Sequence, residues 1–463
     1  MTTFLFYDLE TSGLNPCFDQ VLQFAAIRTD MELQELERHE LRIRMRPDVI
    51  PSPEAILTTQ IALKDWEELD TNEYEGIKKI HRMFNEPNTI SLGYNTLGFD
   101  DEFLRFSFYR NLLDMYSHQF AQGCMRADLF PMMSFYYLFR PEVLKWPRID
   151  GKVSLKLEEL NRANQLAEGQ AHDAMVDVEA TVALAHRLKS HEDMWAYCLS
   201  QFSKKKDEQL SRKAMSSSKD FPTALLVSPR MGSDKDFQAP VLFLGTNFMN
   251  QQLFMRLDQF LFEDIDKDSI EESSWVIRKK WGEPPFVVPV SRRKSSGQGE
   301  TEKSNFDWLK AFPSEFEKIK AYWLAYKYPE VERVDMDARL YLDSFWSAED
   351  KQLNRMFHEA ETLEDKWKAS EAMLNPNLRT LSRRIIFRNY FLKLEEKEAQ
   401  EAKDFFWKML NDETVDFRNA PRKCAEKVME ELKAKLPLLT KGEEASLLLQ
   451  LKECLRQRIE VLA

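Results

Sequence analysis

Asp8 and Glu10 stand two residues apart at the end of Phe4-Leu-Phe-Tyr-Asp-Leu-Glu-Thr-Ser-Gly13. Side chains alternate along a strand, so both carboxylates share one face of a sheet. Phe4, Leu5, Phe6, Tyr7 and Leu9 are apolar, as in a strand covered on both sides, and Thr11-Ser-Gly13 closes it in a turn. Two acids crowded on a core strand repel each other and lose hydration, so they require a cation. Oxygen-only ligands, with no adjacent His or Cys, select a hard ion, Mg²⁺ or Mn²⁺. A solvated strand end explains this stretch, taken alone, equally well.

Two later segments tip the balance. Asn95-x-x-x-Phe-Asp100 ends a buried strand and starts a helix, which can bring Asp100 beside Asp8. Ala171-His-Asp-Ala-Met-Val-Asp-Val178 opens an apolar-striped helix with His172 in its first turn. Asp177 follows roughly one and a half turns later. Asp8, Glu10, Asp100, Asp177 and His172 thus form one candidate site, the acids for a cation and the histidine for an incoming water. Asp101, Glu102 and Asp173 read as helix-start acids favoured by the dipole, and Asp128 as a capping group.

These residues need a sheet with helices over it, and the first 200 residues alternate between strand-like and helix-like stretches. Strands are expected at 21–27, 41–45 and 89–94, and helices at 73–84, 101–113, 127–139, 155–161 and 172–188. The polar runs Ser203-Lys-Lys-Lys-Asp207 and Ser216-Ser-Ser-Lys219 read as a solvated link or a frayed helix end. Short β-type runs follow at 224–227, 241–244, 252–257 and 286–290, then a polar loop at 291–300. Beyond residue 341 the only glycine is Gly442, and helical periodicity at 348–360, 378–396, 399–410 and 427–436 predicts an all-helical end.

The composition, 43% hydrophobic and 31% charged, is that of a globular chain, and 463 residues allow two or three domains. No apolar run approaches the roughly 18 residues of a membrane span, and no secretory leader pattern opens the sequence. Cys17, Cys124, Cys198, Cys424 and Cys454 are scattered without a CxxC pair, which excludes a disulfide framework and a zinc knuckle and suits a reducing cytoplasm. A net charge of −12 disfavours nucleic acid only if charge is averaged, because Lys204–Lys206, Arg212-Lys213, Arg278–Lys280 and Arg292–Lys294 are locally basic. Trp275 and Trp281 flank the third cluster, the pairing of bases and aromatics that single-strand binders use.

The order Asp-x-Glu, Phe-Asp, His-x4-Asp resembles the DEDDh exonucleases, metal-dependent 3′→5′ nucleases of the ribonuclease H-like superfamily. Further segments resemble its multidomain bacterial members that act on single-stranded DNA: Gln23–Asp30, Leu92-Gly-Tyr-Asn95, Phe99–Glu102, Phe108-Tyr-Arg-Asn111, Leu138-x-Arg-Pro-Glu142, Val334–Tyr341 and Phe387–Phe391. The resemblance implies an α/β ribonuclease H-like exonuclease domain over 1–200, an SH3-like β-rich domain over 201–333 and an all-α domain over 334–463, closing a C-shaped clamp.

It also implies 3′→5′ degradation of single-stranded DNA to 5′-mononucleotides in repair and recombination, in the bacterial cytosol and at the nucleoid. One of two Mg²⁺ ions (Mn²⁺ substituting) would sit on Asp8, Glu10 and Asp177. The other would sit on Asp8 and, through water, Asp100, with His172 as general base. Thr11, Arg110, Lys279 and Lys280 are the implied DNA contacts. Arg140 and Tyr197 are the implied seat for the acidic tail of single-stranded-DNA-binding protein, the enzyme being a monomer. A same-superfamily exoribonuclease and a non-catalytic clamp are the rival readings. Most exoribonucleases of this kind end with the nuclease domain, and a decayed clamp would have lost a ligand.

Overall fold

The stretch carrying Asp8 and Glu10 is the middle strand of a five-stranded sheet. In the computed structural model the strands are β1 (Thr3–Thr11), β2 (Val21–Thr29), β3 (Glu35–Arg42), β4 (Thr89–Gly93) and β5 (Met125–Asp128), in the order β3-β2-β1-β4-β5. The structure describes residues 1–60, 66, 69–169, 173–216, 221–266, 268–294, 299–411, 414–439 and 442–462. β1 pairs antiparallel with β2 and parallel with β4, placing Asp8 opposite Ala25 and Glu10 opposite Gln23. The β1–β2 ladder slips between Glu10 and Thr11, so regular pairing ends just after the second acid.

The alternation along β1 sorts its side chains into two cores. Phe4 and Phe6 enter one with Ala174, Val178 and Leu184 of the helix Ala174–Lys189. Leu5, Tyr7 and Leu9 enter another with the helices Glu73–Phe84 and Asp100–Arg110. Each buried side chain of this size contributes about 1.5–3 kcal/mol, which fixes the register that puts Asp8 and Glu10 on one face. That face lies under the helix bearing Asp177.

Local structure departs from expectation at several places. β3 reads Glu-Leu-Glu-Arg-His-Glu-Leu-Arg, a mostly exposed edge strand, and only its last two residues fall within the expected 41–45. β5 precedes the helix Leu129–Phe139, where one helix over 127–139 was expected. Lys204–Met215 is a helix rather than a solvated link, because Asp207, Ser211, Ala214 and Met215 are buried. Residues 217–220 and, in the expected loop, 295–298 lie outside the described residues.

After the ribbon β6 (Arg148–Ile149) and β7 (Lys152–Val153), a second, antiparallel sheet forms from β8 (Thr223–Val227), β9 (Gln238–Thr246), β10 (Gln252–Arg256), β11 (Val276–Lys279) and β12 (Phe286–Val288). Its order is β11-β10-β9-β8-β12. The helices Glu300–Ala311 and Pro313–Ala325 cover it through Leu309, Phe316, Ile319 and Trp323. Helices then run from Ala348–Glu359 to Glu443–Leu462. A mixed sheet with helices, a β-rich middle and a helical end are therefore the fold class the sequence implied.

The regions share cores. Leu225, Val227, Phe286 and Val288 pack with the first sheet, as do Phe357, Leu381 and Ile385 on its other side. Among the described residues no helix is long and apolar enough to cross a membrane.

Candidate active site

Three segments deliver four carboxylates to the end of β1. Asp8 and Glu10 come from the strand, and Asp177 from the helix packed over it. Ligand oxygens of these three all lie within 4.8 Å of one another. Asp100 reaches the cluster from the other side, at the first position of the helix Asp100–Arg110, and is held by the backbone N–H of Leu9.

Helix caps set two of these positions. Asp173 is the N-cap of Ala174–Lys189 and accepts from the N–H groups of Met175 at 3.0 Å and Val176 at 3.4 Å. That fixes the first turn, which carries Asp177. Asp128 is buried and accepts from Asn95 at 2.8 Å, Leu97 at 3.1 Å and Phe130 at 2.9 Å. It thereby ties the turn leading to Asp100 onto the start of Leu129–Phe139.

The electrostatics are those of a site short of positive charge. Burial first, then Asp177 and Asp100, push the Glu10 carboxyl up to about 8. Burial and the neighbouring acid Asp128 push Asp100 up to about 8, against the N–H bonds that favour its charge. Asp8 is raised by burial and by Asp100, Asp177 and Glu10. Among the described residues the set holds carboxylates and no His or Cys, which suits a hard divalent cation that would neutralise the repulsion.

The acids floor a cleft of about 520 Å³ whose walls include Tyr94, Phe99, Phe130, Leu155 and Leu157. Lys156 stands at its rim, 3.8 Å from Glu158. Residues 155–158, which follow the ribbon β6–β7, were expected only as the start of a helix over 155–161; the helix runs Leu157–Asn164 and its first turn lines the cleft.

The other expected residues fare differently. His172 lies outside the described residues, next to the N-cap Asp173. Asp101 is buried in an ion cluster with Arg105, Arg126 and His118, and its carboxyl is held well below the usual range by those cations despite burial. Arg110 does not face a nucleic acid: it is fully buried, donates to the carbonyls of Pro16, Cys17 and Asp19, and sits 3.3 Å from Glu73. It braces the loop that follows β1. Lys279 is corrected likewise, with its Nζ buried 2.6 Å from Asp207.

Thr11 is buried and its hydroxyl donates to Gly13 at 2.7 Å. Lys280 is exposed on a second cleft. Arg140 is half-buried, 2.8 Å from Asp193, and Tyr197 packs on Phe135 at a ring separation of 5.6 Å.

Sheet order, covering helix and acid cluster together define an exonuclease of the ribonuclease H-like class, and a family model described as an exonuclease matches residues 5–185. The sequence is 30% identical to exodeoxyribonuclease I of Buchnera aphidicola subsp. Schizaphis graminum over 432 residues, 88% of this chain and 87% of the relative. It is 41% identical to exodeoxyribonuclease I of Escherichia coli over 193 residues, a stretch covering 41% of each chain. The crystal structure of E. coli exonuclease I in complex with a dA16 oligonucleotide matches all of both chains with a TM-score of 0.86 at 26% identity. Exonuclease I from Methylocaldum szegediense matches at 0.85 and 25%, over 99% of this chain and 100% of that one. The chain belongs to the exodeoxyribonuclease I family.

Proposed function

We propose that this exonuclease shortens single-stranded DNA from its 3′ end, releasing 5′-mononucleotides. Two Mg²⁺ ions, replaceable by Mn²⁺, would be held by Asp8, Glu10, Asp100 and Asp177. The observation that carries this reading is the meeting of three carboxylates within 4.8 Å at the end of a core strand. Bound there, the ions supply charge neutralisation and Lewis-acid polarisation at a phosphodiester.

The chain's own groups do the rest. Asp8 would serve both ions, together with Glu10 and Asp177 for one and Asp100 for the other. Tyr94, Phe99, Phe130, Leu155 and Leu157 give the terminal nucleotide an apolar wall that limits water at the scissile bond. His172 takes the proton of the attacking water, a role worth about 10²–10⁴-fold.

The strand would leave over the cleft of about 730 Å³ that holds Lys204, Lys280, Lys351, Phe120, Trp281 and Phe345. Bases can stack there while phosphates meet ammonium groups. Arg140 and Tyr197, with Lys294 5.4 Å over the Phe139 ring, suit an acidic, aromatic peptide such as the tail of single-stranded-DNA-binding protein. We place the enzyme in the bacterial cytosol as a monomer, with boundaries near 200 and 334 separating its three regions.

The test uses 3′- and 5′-labelled single-stranded DNA and RNA with Mg²⁺ or EDTA. The expected result is Mg²⁺-dependent release of mononucleotides from the 3′ end of DNA, with a kcat lowered about 10²–10⁴-fold in His172→Ala and DNA binding unchanged. Release from the 5′ end, or full activity in EDTA, overturns the proposal.

A further inference from the structure

A third recess shares walls with both the catalytic cleft and the basic aromatic cleft, and two acids and two arginines line it. This recess, about 240 Å³, shares Asn95 and Phe130 with the first and Glu283 with the second. It contains two acids, and both are engaged. Asp128 accepts the three backbone N–H groups described above, and Glu283 lies 2.6 Å from Arg126. It also contains Arg230 and Arg278.

Among the described residues neither arginine is paired with a carboxylate. Arg230 is exposed on the turn Pro229–Met231, whose N-cap Ser228 accepts from the Arg230 backbone N–H at 3.3 Å. Its guanidinium comes within 3.4 Å of where a Cβ on Gly98 would stand, two residues before Asp100. Arg278, on β11, has its guanidinium 4.9–5.2 Å from the rings of Trp323, Tyr326 and Tyr328. Its Nη2 is buried without a hydrogen-bond acceptor. A cation held by aromatic faces is fixed in place yet keeps its charge available to an anion. Beside two acids that already have partners, these two guanidinium groups can each offer N–H donors to anionic oxygens entering the recess.

We propose that Arg230 and Arg278 clamp one backbone phosphate of the strand where it crosses from the basic aromatic cleft to the catalytic acids. This rests on the 3′-exonuclease reading and adds the route and the residues that hold it. Arg230 is the exposed half of the clamp and Arg278 the stacked, preset half. Bidentate guanidinium geometry matches a phosphodiester, and the recess reads no base, so the contact acts equally on all sequences.

The experiment measures binding of labelled dT oligonucleotides to the full-length protein in EDTA across a salt series, with KM for DNA and Tm in parallel. In Arg230→Ala the slope of log K against log salt should fall by about 0.7, one single-strand phosphate contact, with affinity at low salt down roughly tenfold. Tm should stay at wild type while KM for DNA rises, and Arg230→Lys should restore the slope.

A scan of oligonucleotides carrying one neutral methylphosphonate should show a position whose neutralisation weakens wild type but not Arg230→Ala. Arg278→Gln should lose sensitivity at that same position. An unchanged slope in Arg230→Ala, or a methylphosphonate profile identical to wild type, overturns the clamp. Wild type that degrades DNA from the 3′ end in either case leaves the exonuclease reading standing, whereas wild type that does not bring about that degradation removes the reading itself.

Discussion

Two buried groups of four carboxylates lie in this molecule, and they differ in what answers their charge. At the end of β1, Asp8 and Glu10 feel burial and the acids around them, Asp100 feels burial and Asp128, and each is pushed up. Behind the loop that follows β1, Asp48, Glu73, Asp335 and Asp337 meet Arg46, Arg110, Arg384, Arg388 and Arg422. Arg388 lies 2.7 Å from Asp48 and also binds Asp337, Arg46 lies 2.7 Å from Glu73, and Arg384 lies 2.7 Å from Asp335. Burial would raise these acids too, but the guanidinium groups outweigh it and all four are lowered. The second group is internally neutralised and ties residues near 48 and 73 to the helix Pro376–Tyr390. In the first, Asp8, Glu10 and Asp100 have no lysine or arginine ion pair among the described residues, which suits cations from solution. One is a fastening and the other a socket.

Replacing a residue of each group separates these roles. Asp8→Ala or Asp177→Ala should abolish Mg²⁺-dependent hydrolysis while leaving Tm in EDTA unchanged or higher, since a repelling charge is gone. Wild-type turnover in either variant would remove the site. Asp48→Ala should do the opposite: it takes one of two carboxylates from Arg388 and from Arg46, leaves the buried group with excess positive charge, and should cost about 3–5 kcal/mol by denaturant titration. Molecules still folded should hydrolyse DNA at close to the wild-type rate.

The two groups also predict opposite responses to pH. For a carboxyl raised on folding, the folded state holds the proton more tightly, so stability is greatest below the unfolded pKa and declines as pH rises to the folded value. Glu10 and Asp100 therefore make the metal-free protein lose stability between about pH 4 and 8, and Mg²⁺ should recover the loss. Asp48, Glu73, Asp335 and Asp337 are lowered, so their contribution is complete above the unfolded carboxylate range and is lost only on acidification through the folded values. Thermal melts across pH with EDTA or Mg²⁺ check both slopes. A Mg²⁺ effect that does not grow between pH 5 and about pH 8 would contradict the socket. The smallest effect belongs to the cap beside it: Asp173→Ala should cost about 1 kcal/mol.

The socket was legible in the sequence because each acid sits in a local pattern: alternation for Asp8 and Glu10, a strand-to-helix junction for Asp100, a helix opening for Asp177. The fastening was not, since Asp48 and Arg388 are 340 residues apart and nothing local marks either. Arg110 shows the same limit: its motif match pointed to DNA, while its burial is set by the carbonyls of a loop far away in the chain. β3 hid because an edge strand open to solvent needs no apolar alternation. The helix Lys204–Met215 hid because its buried side is made by Asp207 meeting Lys279 of β11, a pair visible only in three dimensions.

Whether the β1 acids gather divalent ions can be read by calorimetric titration of Mn²⁺ into wild type and Asp8→Asn at pH 7 in buffers of different ionisation enthalpy. Wild type should bind saturably with release of protons, because carboxyls raised to about 8 must ionise to bind the metal, and the variant should lose both. Equal Mn²⁺ binding by the two proteins, or binding without proton release, would contradict it.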